Sequence, residues 1–408
     1  MRHIAIVLAV IDVFLAGTAS LLAQSTSFAV TLVPPTHGTL RLTPPLPADG
    51  RYPAGTVVTL TTTPDAGYVL DSAWYSVPGR FGQMYHEGMT PDFKVTIDRD
   101  KRVGASFIES SVVKDLGVHH DIVYARPGVK PLKYDVYMPK GARSLPMIVI
   151  IHGGGWTTND EDIMRGLARE LARGGRFVVA SMDYRWAGTA DGDAAGNTMA
   201  NLIEDVFGGI AHVMEHAAEY GGDATRVGLT GDSAGGHLAA VASLMADKIG
   251  SRGFGKQPGV FEFMPSYLPK GKTVEQVRDD MLKAIKAAAP SYGVFSAAQL
   301  SPYSDEHAND PAWKDAVAPI NHIPNATERS VPQFLTRGTR DPLISDSAVK
   351  EFVDALVNAG QRVEYVQVSG ASHAFFDWKP DENTKATFAK FGVYYAAAMK
   401  NFFLSTLN

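Results

Sequence analysis

The sequence has no cysteine in its 408 residues. That excludes disulfide bonds, cysteine-ligated zinc, iron–sulfur clusters and thiol nucleophiles together. A basic excess is missing too: 38 Lys plus Arg stand against 43 Asp plus Glu, a formal net charge of −5. Nucleic-acid binding needs a cationic surface to neutralise phosphates, so no nucleic-acid partner is expected. Beyond the first two dozen residues, no run reaches the roughly 18 consecutive apolar residues of a membrane-spanning helix. Hydrophobic residues at 45% and charged residues at 20% are ordinary globular proportions, and the length suits two domains.

The amino terminus reads as an export signal over residues 1–23. Arg2 gives a positive start, Ile4 to Ala16 is apolar, and Gly17, Ala19 and Ala23 are small residues suited to cleavage. Asp12 interrupts the apolar run. The expectation is a secreted or periplasmic bacterial protein with no transmembrane segment once the signal is removed.

Two textures follow. Residues 27–108 carry short alternating runs such as "GTLRLTP", "GTVVTLTTTP" and "RVGASF", separated by Pro and Gly turns. Thr, Val and aromatic residues dominate, as in strands, so a small all-β domain is expected. From residue 112 to 408, apolar strand-like runs alternate with helical stretches, the pattern of an α/β fold. "PMIVIIHGG" is almost wholly apolar, as a strand buried on both faces should be.

Chemistry-bearing motifs sit at strand ends. Gly231-Asp232-Ser233-Ala234-Gly235 follows the run "RVGLT" and opens the helix "AGGHLAAVASLMADK". A nucleophile on so tight a turn needs glycines on both sides, and the turn aims Ser233 into a cleft. His152-Gly153-Gly154-Gly155-Trp156 ends the most apolar strand. The Gly154 and Gly155 amides, with that of Ala234, are expected to form an oxyanion hole. This loop lacks the G-K-[ST] and G-x-G-x-x-G patterns of nucleotide cradles, so no cofactor is expected. His152 reads as a residue that ties the loop down. Trp156 reads either as part of the substrate pocket or as packing beneath the loop.

A serine hydroxyl needs a base, and the base needs an orienting acid. Asp341 lies just past the run "PQFLTRG", and His373 follows "VEYVQVSG". The order Ser233, Asp341, His373 excludes the Asp-first and His-first serine proteases. Rival residues have duller readings. Asp346 is expected to cap the helix that follows it, and His237 to pack against the sheet. Asp377 lies beyond the strand end, and His307 and His322 lack a preceding strand.

On "HGGGW", "DYR" (183–185), "GDSAGGHLA", "GTRDPLIS" and "GASHAF", residues 112–408 resemble the α/β-hydrolase superfamily. Within it they are similar to hormone-sensitive-lipase-type and bacterial feruloyl or acetyl-xylan esterase-type carboxylesterases. The resemblance implies a mostly parallel eight-stranded sheet, a Ser-His-Asp triad and no metal, with Asp183–Arg185 structural. "YPAGTVVTLTTTPDAGYVLDSAW" and "DFKVTIDRDKRVGASF" resemble the divergent InlB B-repeat modules, which commonly act as spacers or adhesion units. Trp74, Tyr75 and Tyr85 there read as a sugar-stacking face or as ordinary core and surface residues. One departure from the hydrolase pattern is the long segment 249–283, with Phe254, Phe261, Phe263, Met264, Tyr267 and Leu268. It reads as a lid or as an insertion packed on the scaffold.

The expected activity is hydrolysis of carboxylic esters, possible sources being acetylated or feruloylated plant polysaccharide or a polyester. A serine peptidase of the same fold, and a non-catalytic adhesion protein, are the competing readings.

Overall fold

The computed structural model describes residues 26–80, 82–251, 262–300 and 311–407. The expected signal segment and His307 lie outside them. The amino-terminal module holds β1 (Ser27–Leu32), β2 (Gly38–Thr43), β3 (Arg51–Pro53), β4 (Val57–Pro64), β5 (Tyr68–Gly79), β6 (Gly82–Gly88), β7 (Asp92–Thr96) and β8 (Lys101–Glu109). They form a five-stranded sheet, β3-β1-β8-β5-β6, and a three-stranded sheet, β2-β4-β7. Alternation decides the faces: Val58, Leu60 and Thr62 of β4 are buried, while Val57 and Thr63 are exposed. A small core of Val30, Tyr52, Leu60, Val95, Ile97 and Val103 lies between the sheets. Trp74 belongs to the buried interior, edge-on to Tyr85 with centroids 5.2 Å apart, and so takes the ordinary core role.

The second domain follows as β9 (Leu116–Ala125), β10 (Leu132–Pro139), β11 (Leu145–Ile151), α1 (Arg165–Ala172), β12 (Val178–Met182), α2 (Met199–Glu215), β13 (Gly222–Asp232) and α3 (Ala234–Leu244). Then come α4 (Val274–Ala284), β14 (Ile285–Ser291), α5 (Pro311–Val317), β15 (Gln333–Gly338), α6 (Asp346–Asn358), β16 (Val363–Val368), α7 (Glu382–Thr387) and α8 (Val393–Thr406). The eight strands form one sheet in the order β16-β15-β14-β13-β11-β12-β10-β9. Pairing is parallel except for the β9–β10 hairpin and its junction with β12. The alternating texture is thus an α/β fold, and its sheet is the mostly parallel eight-stranded one that the resemblance implied. The central strand β11 is almost wholly apolar, as a strand covered on both faces should be; its Pro146 to Ile151 are all buried.

Register sets the height of the loops. Ile151 pairs with Met182 on one side and Gly231 on the other, and Asp232 pairs with Ser291. The glycine loop after β11 and the turn after β13 therefore leave the sheet at the same level. Gly338 pairs with Val368, which brings the loops after β15 and β16 to that edge as well. Ligand sites of open α/β sheets lie at this carboxyl edge.

Two helices are irregular, and one expectation, the cap of α6, is corrected. The stretch 161–175 is a 3₁₀ turn, Glu161–Met164, followed by a short α1. The carboxy-terminal helix is broken by a π turn, Phe388–Gly392, between α7 and α8. Asp346 is not the cap of α6: Ser345 is, its hydroxyl accepting from the Ala348 amide at 3.2 Å. Asp346 instead accepts from Tyr365 Oη at 2.8 Å and pairs with Lys350.

In segment 249–283, Phe254 and Phe261 lie outside the described residues. The described part packs on α2: Phe263 is buried against Phe207, and the Met264 and Ser266 amides donate to Glu204. That is the behaviour of an insertion seated on the scaffold. Among the described residues no helix is long and apolar enough to cross a membrane.

The two domains keep separate hydrophobic cores. Between them lies a buried ionic cluster. Arg165, fully buried on α1, donates to Asp71 of β5 at 3.1 and 3.2 Å and to Glu87 of β6 at 2.6 and 3.0 Å. Arg169 also pairs with Asp71, and Trp378 donates its indole N–H to the same carboxylate at 2.9 Å. Burial alone would raise the Asp71 carboxyl, but the two guanidinium groups outweigh it and hold the group far below the usual carboxylate range. Lys385 adds a further bridge, donating to Ser106 Oγ of β8 at 2.7 Å.

Candidate active site

Ser233 stands between β13 and α3 as the residue that precedes the helix, with φ +50° and ψ −115°, a conformation rarely adopted by residues with a Cβ. The turn is tight because α3 must begin directly against β11. A Cβ on Gly231 would come within 2.5 Å of the Ile151 carbonyl, and one on Gly235 within 2.5 Å of the His152 carbonyl. Both obstacles are backbone, so neither can swing away. Gly235→Ala is expected to destabilise the domain by about 1–3 kcal/mol. It should appear as a lower urea midpoint, and an unchanged midpoint would show that the turn can relax.

The three residues singled out by order along the chain converge. His373 Nε2 lies 2.9 Å from Ser233 Oγ, and its Nδ1 lies 2.8 Å from Asp341 Oδ2. The other Asp341 oxygen accepts from the Leu343 and Ile344 amides at 2.8 and 2.9 Å. Burial pushes the Asp341 carboxyl up, but the His373 hydrogen bond and charge and the two amides win, leaving it below its ordinary value. It therefore stays an anion that accepts from the imidazole and fixes its orientation.

Gly154 (φ +123°) and Gly155 (φ +59°) border the cleft beside Ser233. Ala234 is the first residue of α3, a position whose amide has no partner within the helix. His152 ties the loop down as expected: Nδ1 meets the Gly153 carbonyl at 2.7 Å, Nε2 meets Asp183 at 3.2 Å, and the ring stacks on Tyr184. Trp156 fits both of its readings: it borders the cleft beside Gly155 and Ser233, and it packs beneath the loop. It is 1% exposed, and its indole N–H donates to His237 Nδ1 at 3.3 Å. His237 is buried and its Nε2 meets the Val317 carbonyl, so it packs as expected.

Two features were not visible in the sequence. Asp232 and Asp377 are both buried and both border the cleft. Asp232 Oδ1 accepts from the Gly153 amide at 2.7 Å and so anchors the glycine loop. Burial, reinforced by the Asp377 charge, pushes Asp232 well above the usual carboxylate range. Burial also raises Asp377, against the opposing influence of Lys379. The pair thus keeps a proton to higher pH than ordinary carboxylates would. Its only sequence signal was the place of Asp232 beside Ser233. The second feature is the cleft's outer wall. The cleft, about 430 Å³, is bordered by Gly79, Arg80, Gly82, Gln83 and Met84 of the amino-terminal module. Apolar Val294, Leu343 and Ile344 border it from the hydrolase domain. Among the described residues, no group of three or more His, Asp or Glu could hold a metal ion.

Known proteins agree with this architecture. The chain is 26% identical over 269 residues to the esterase LipQ of Mycobacterium tuberculosis, covering 62% of this chain and 53% of LipQ. It is 37% identical over 124 residues to the carboxylesterase NlhH of the same organism, covering 30% of this chain and 37% of NlhH. The chain thus spans about half or less of the length of these curated relatives. A thermophilic esterase from Thermogutta terrifontis superposes with a TM-score of 0.51 at 24% identity, covering 71% of this chain and 91% of that one, a likeness of fold. Residues 28–111 match the divergent InlB B-repeat domain. Because residues 134–356, more than half the sequence, match the BD-FAE model, the chain belongs to the BD-FAE family of α/β-hydrolase fold.

Proposed function

We propose that this protein is a carboxylesterase that works through an acyl-enzyme on Ser233. The observation that carries the reading is the unbroken chain of hydrogen bonds from Ser233 through His373 to Asp341. His373 takes the Ser233 proton as Oγ attacks the ester carbonyl. The amides of Gly154, Gly155 and Ala234 receive the developing negative charge. His373 then protonates the departing alcohol and activates the water that releases the acid, while Asp341 stabilises the imidazolium.

Names of the relatives support esters over peptides, since the matched curated proteins are called esterases and carboxylesterases. Acetyl or feruloyl esters of plant polysaccharide are the proposed natural substrates, with polyester open to the same chemistry. Export rests on the positive start and apolar stretch of residues 1–23.

The test joins turnover to labelling. The protein should hydrolyse p-nitrophenyl acetate and butyrate, and a fluorophosphonate should modify it once, on the peptide containing Ser233. Labelling elsewhere, or no hydrolysis of any ester offered, would overturn the reading.

A further inference from the structure

Resting on the esterase reading, we propose that the amino-terminal module builds the subsite for the alcohol portion of the ester, and that this subsite takes an oxygen-rich, hydrogen-bonding alcohol such as a sugar. The first step of the argument is positional. The departing alkoxide takes its proton from the imidazole that removed the serine proton, so the alcohol must lie on the His373 side of Ser233. The chain that continues from His373, through Asp377, Trp378 and Lys379, is the segment onto which the module is fastened. Trp378 donates to Asp71 of β5 at 2.9 Å, and Lys385 to Ser106 of β8 at 2.7 Å. The hairpin formed by β5 and β6 borders the same cleft as Ser233 and His373, and on this argument it stands at the leaving-group side.

The second step is chemical. From the module, Arg80 and Gln83 border the cleft, Gln83 held by the Ser76 hydroxyl at 3.0 Å, and Asn159, Gln299 and Lys379 add polar groups from the hydrolase domain, while Val294, Leu343 and Ile344 give the cleft an apolar portion. Polar groups of this kind suit hydroxyl and ring oxygens, and the apolar portion suits an acyl chain. The third step concerns rigidity. A subsite discriminates only if its wall stays in place. The Asp71 and Glu87 carboxylates, held by buried Arg165, lie on β5 and β6, the paired strands that carry Gln83 and lead to Arg80. The wall is therefore fixed to α1, not hung from a flexible linker.

The experiment holds the acyl group constant and varies the alcohol, in the full chain. With p-nitrophenyl acetate and a methyl O-acetyl-xyloside, both reactions pass through one acetyl-enzyme, so only acylation senses the alcohol. Met84→Trp and Gln83→Ala should each lower the ratio of kcat/KM for the sugar acetate over the nitrophenyl ester at least tenfold. Melting temperature confirms that each variant is folded, and the two alter the wall by different means, crowding and loss of a polar group.

A ratio within twofold of wild type in a folded variant would overturn the proposal. So would a shift in the preference between nitrophenyl acetate and butyrate with no shift between alcohols, because the hairpin would then face the acyl chain. A wild-type enzyme that cleaves nitrophenyl acetate but not the sugar acetate would refute the sugar subsite alone. One that cleaves neither would remove the esterase reading and this inference with it.

Discussion

Ser233→Ala should lower kcat on p-nitrophenyl esters by about 10⁴–10⁶-fold, the range in which removal of a triad nucleophile falls. The size of the effect follows from the geometry. With Oγ gone, the imidazole 2.9 Å away has no proton to take and no covalent intermediate can form. What remains is direct attack by water, assisted by the amides of the glycine loop, worth roughly 10³–10⁴ over the uncatalysed reaction. Combining Ser233→Ala with His373→Ala should cost little more than the first change alone, because the two residues act as one unit. The check is steady-state hydrolysis of wild type, both single variants and the double variant. A double variant far slower than Ser233→Ala would mean that His373 acts independently of the serine.

The second large effect concerns Asp71, some distance from the chemistry. Asp71→Ala leaves Arg165 and Arg169 buried with one carboxylate partner gone, and breaking a buried ion pair in this way typically costs about 3–5 kcal/mol. Urea denaturation should show a loss of that order. The pH dependence has a definite sign. The folded-state Asp71 pKa lies far below the ordinary value, so its contribution is complete above the unfolded pKa of about 4. It is lost as the pH falls below that value. Wild type and variant should therefore converge in stability from about pH 4 downward. A gap that stays constant into acid would show that packing, not charge, accounts for the loss.

Much of the site could be read from the chain because its chemistry restricts the backbone. Gly231 and Gly235 flank Ser233 for want of space beside Ile151 and His152, and such a need appears directly as sequence. Asp341 and His373 were legible because each follows a short strand-like run, one forming the buried β15 and the other the half-buried edge strand β16. Arg165 and Arg169 were not legible. Two arginines four residues apart on a helix look the same whether they face water or a carboxylate on another domain. The hairpin's place at the cleft depends on pairings such as Arg165 with Asp71, 94 positions apart, which leave no local pattern. Asp346 was misread since Ser345 and Asp346 are both good caps, and tertiary partners, Tyr365 and Gln367, claimed the carboxylate.

The left-handed backbone of Ser233 has a consequence for how much mutation the chain tolerates. A non-glycine residue in that region holds about 1–3 kcal/mol of strain, which the surrounding sheet must overcome. Globular proteins have only about 5–15 kcal/mol of net stability from which to do so. The nucleophile thus lowers the reserve on which every other residue depends, and a lesion at the domain seam acts on what is left. Variants far from the cleft, with all three residues of the triad intact, can then abolish activity in cells by lowering abundance.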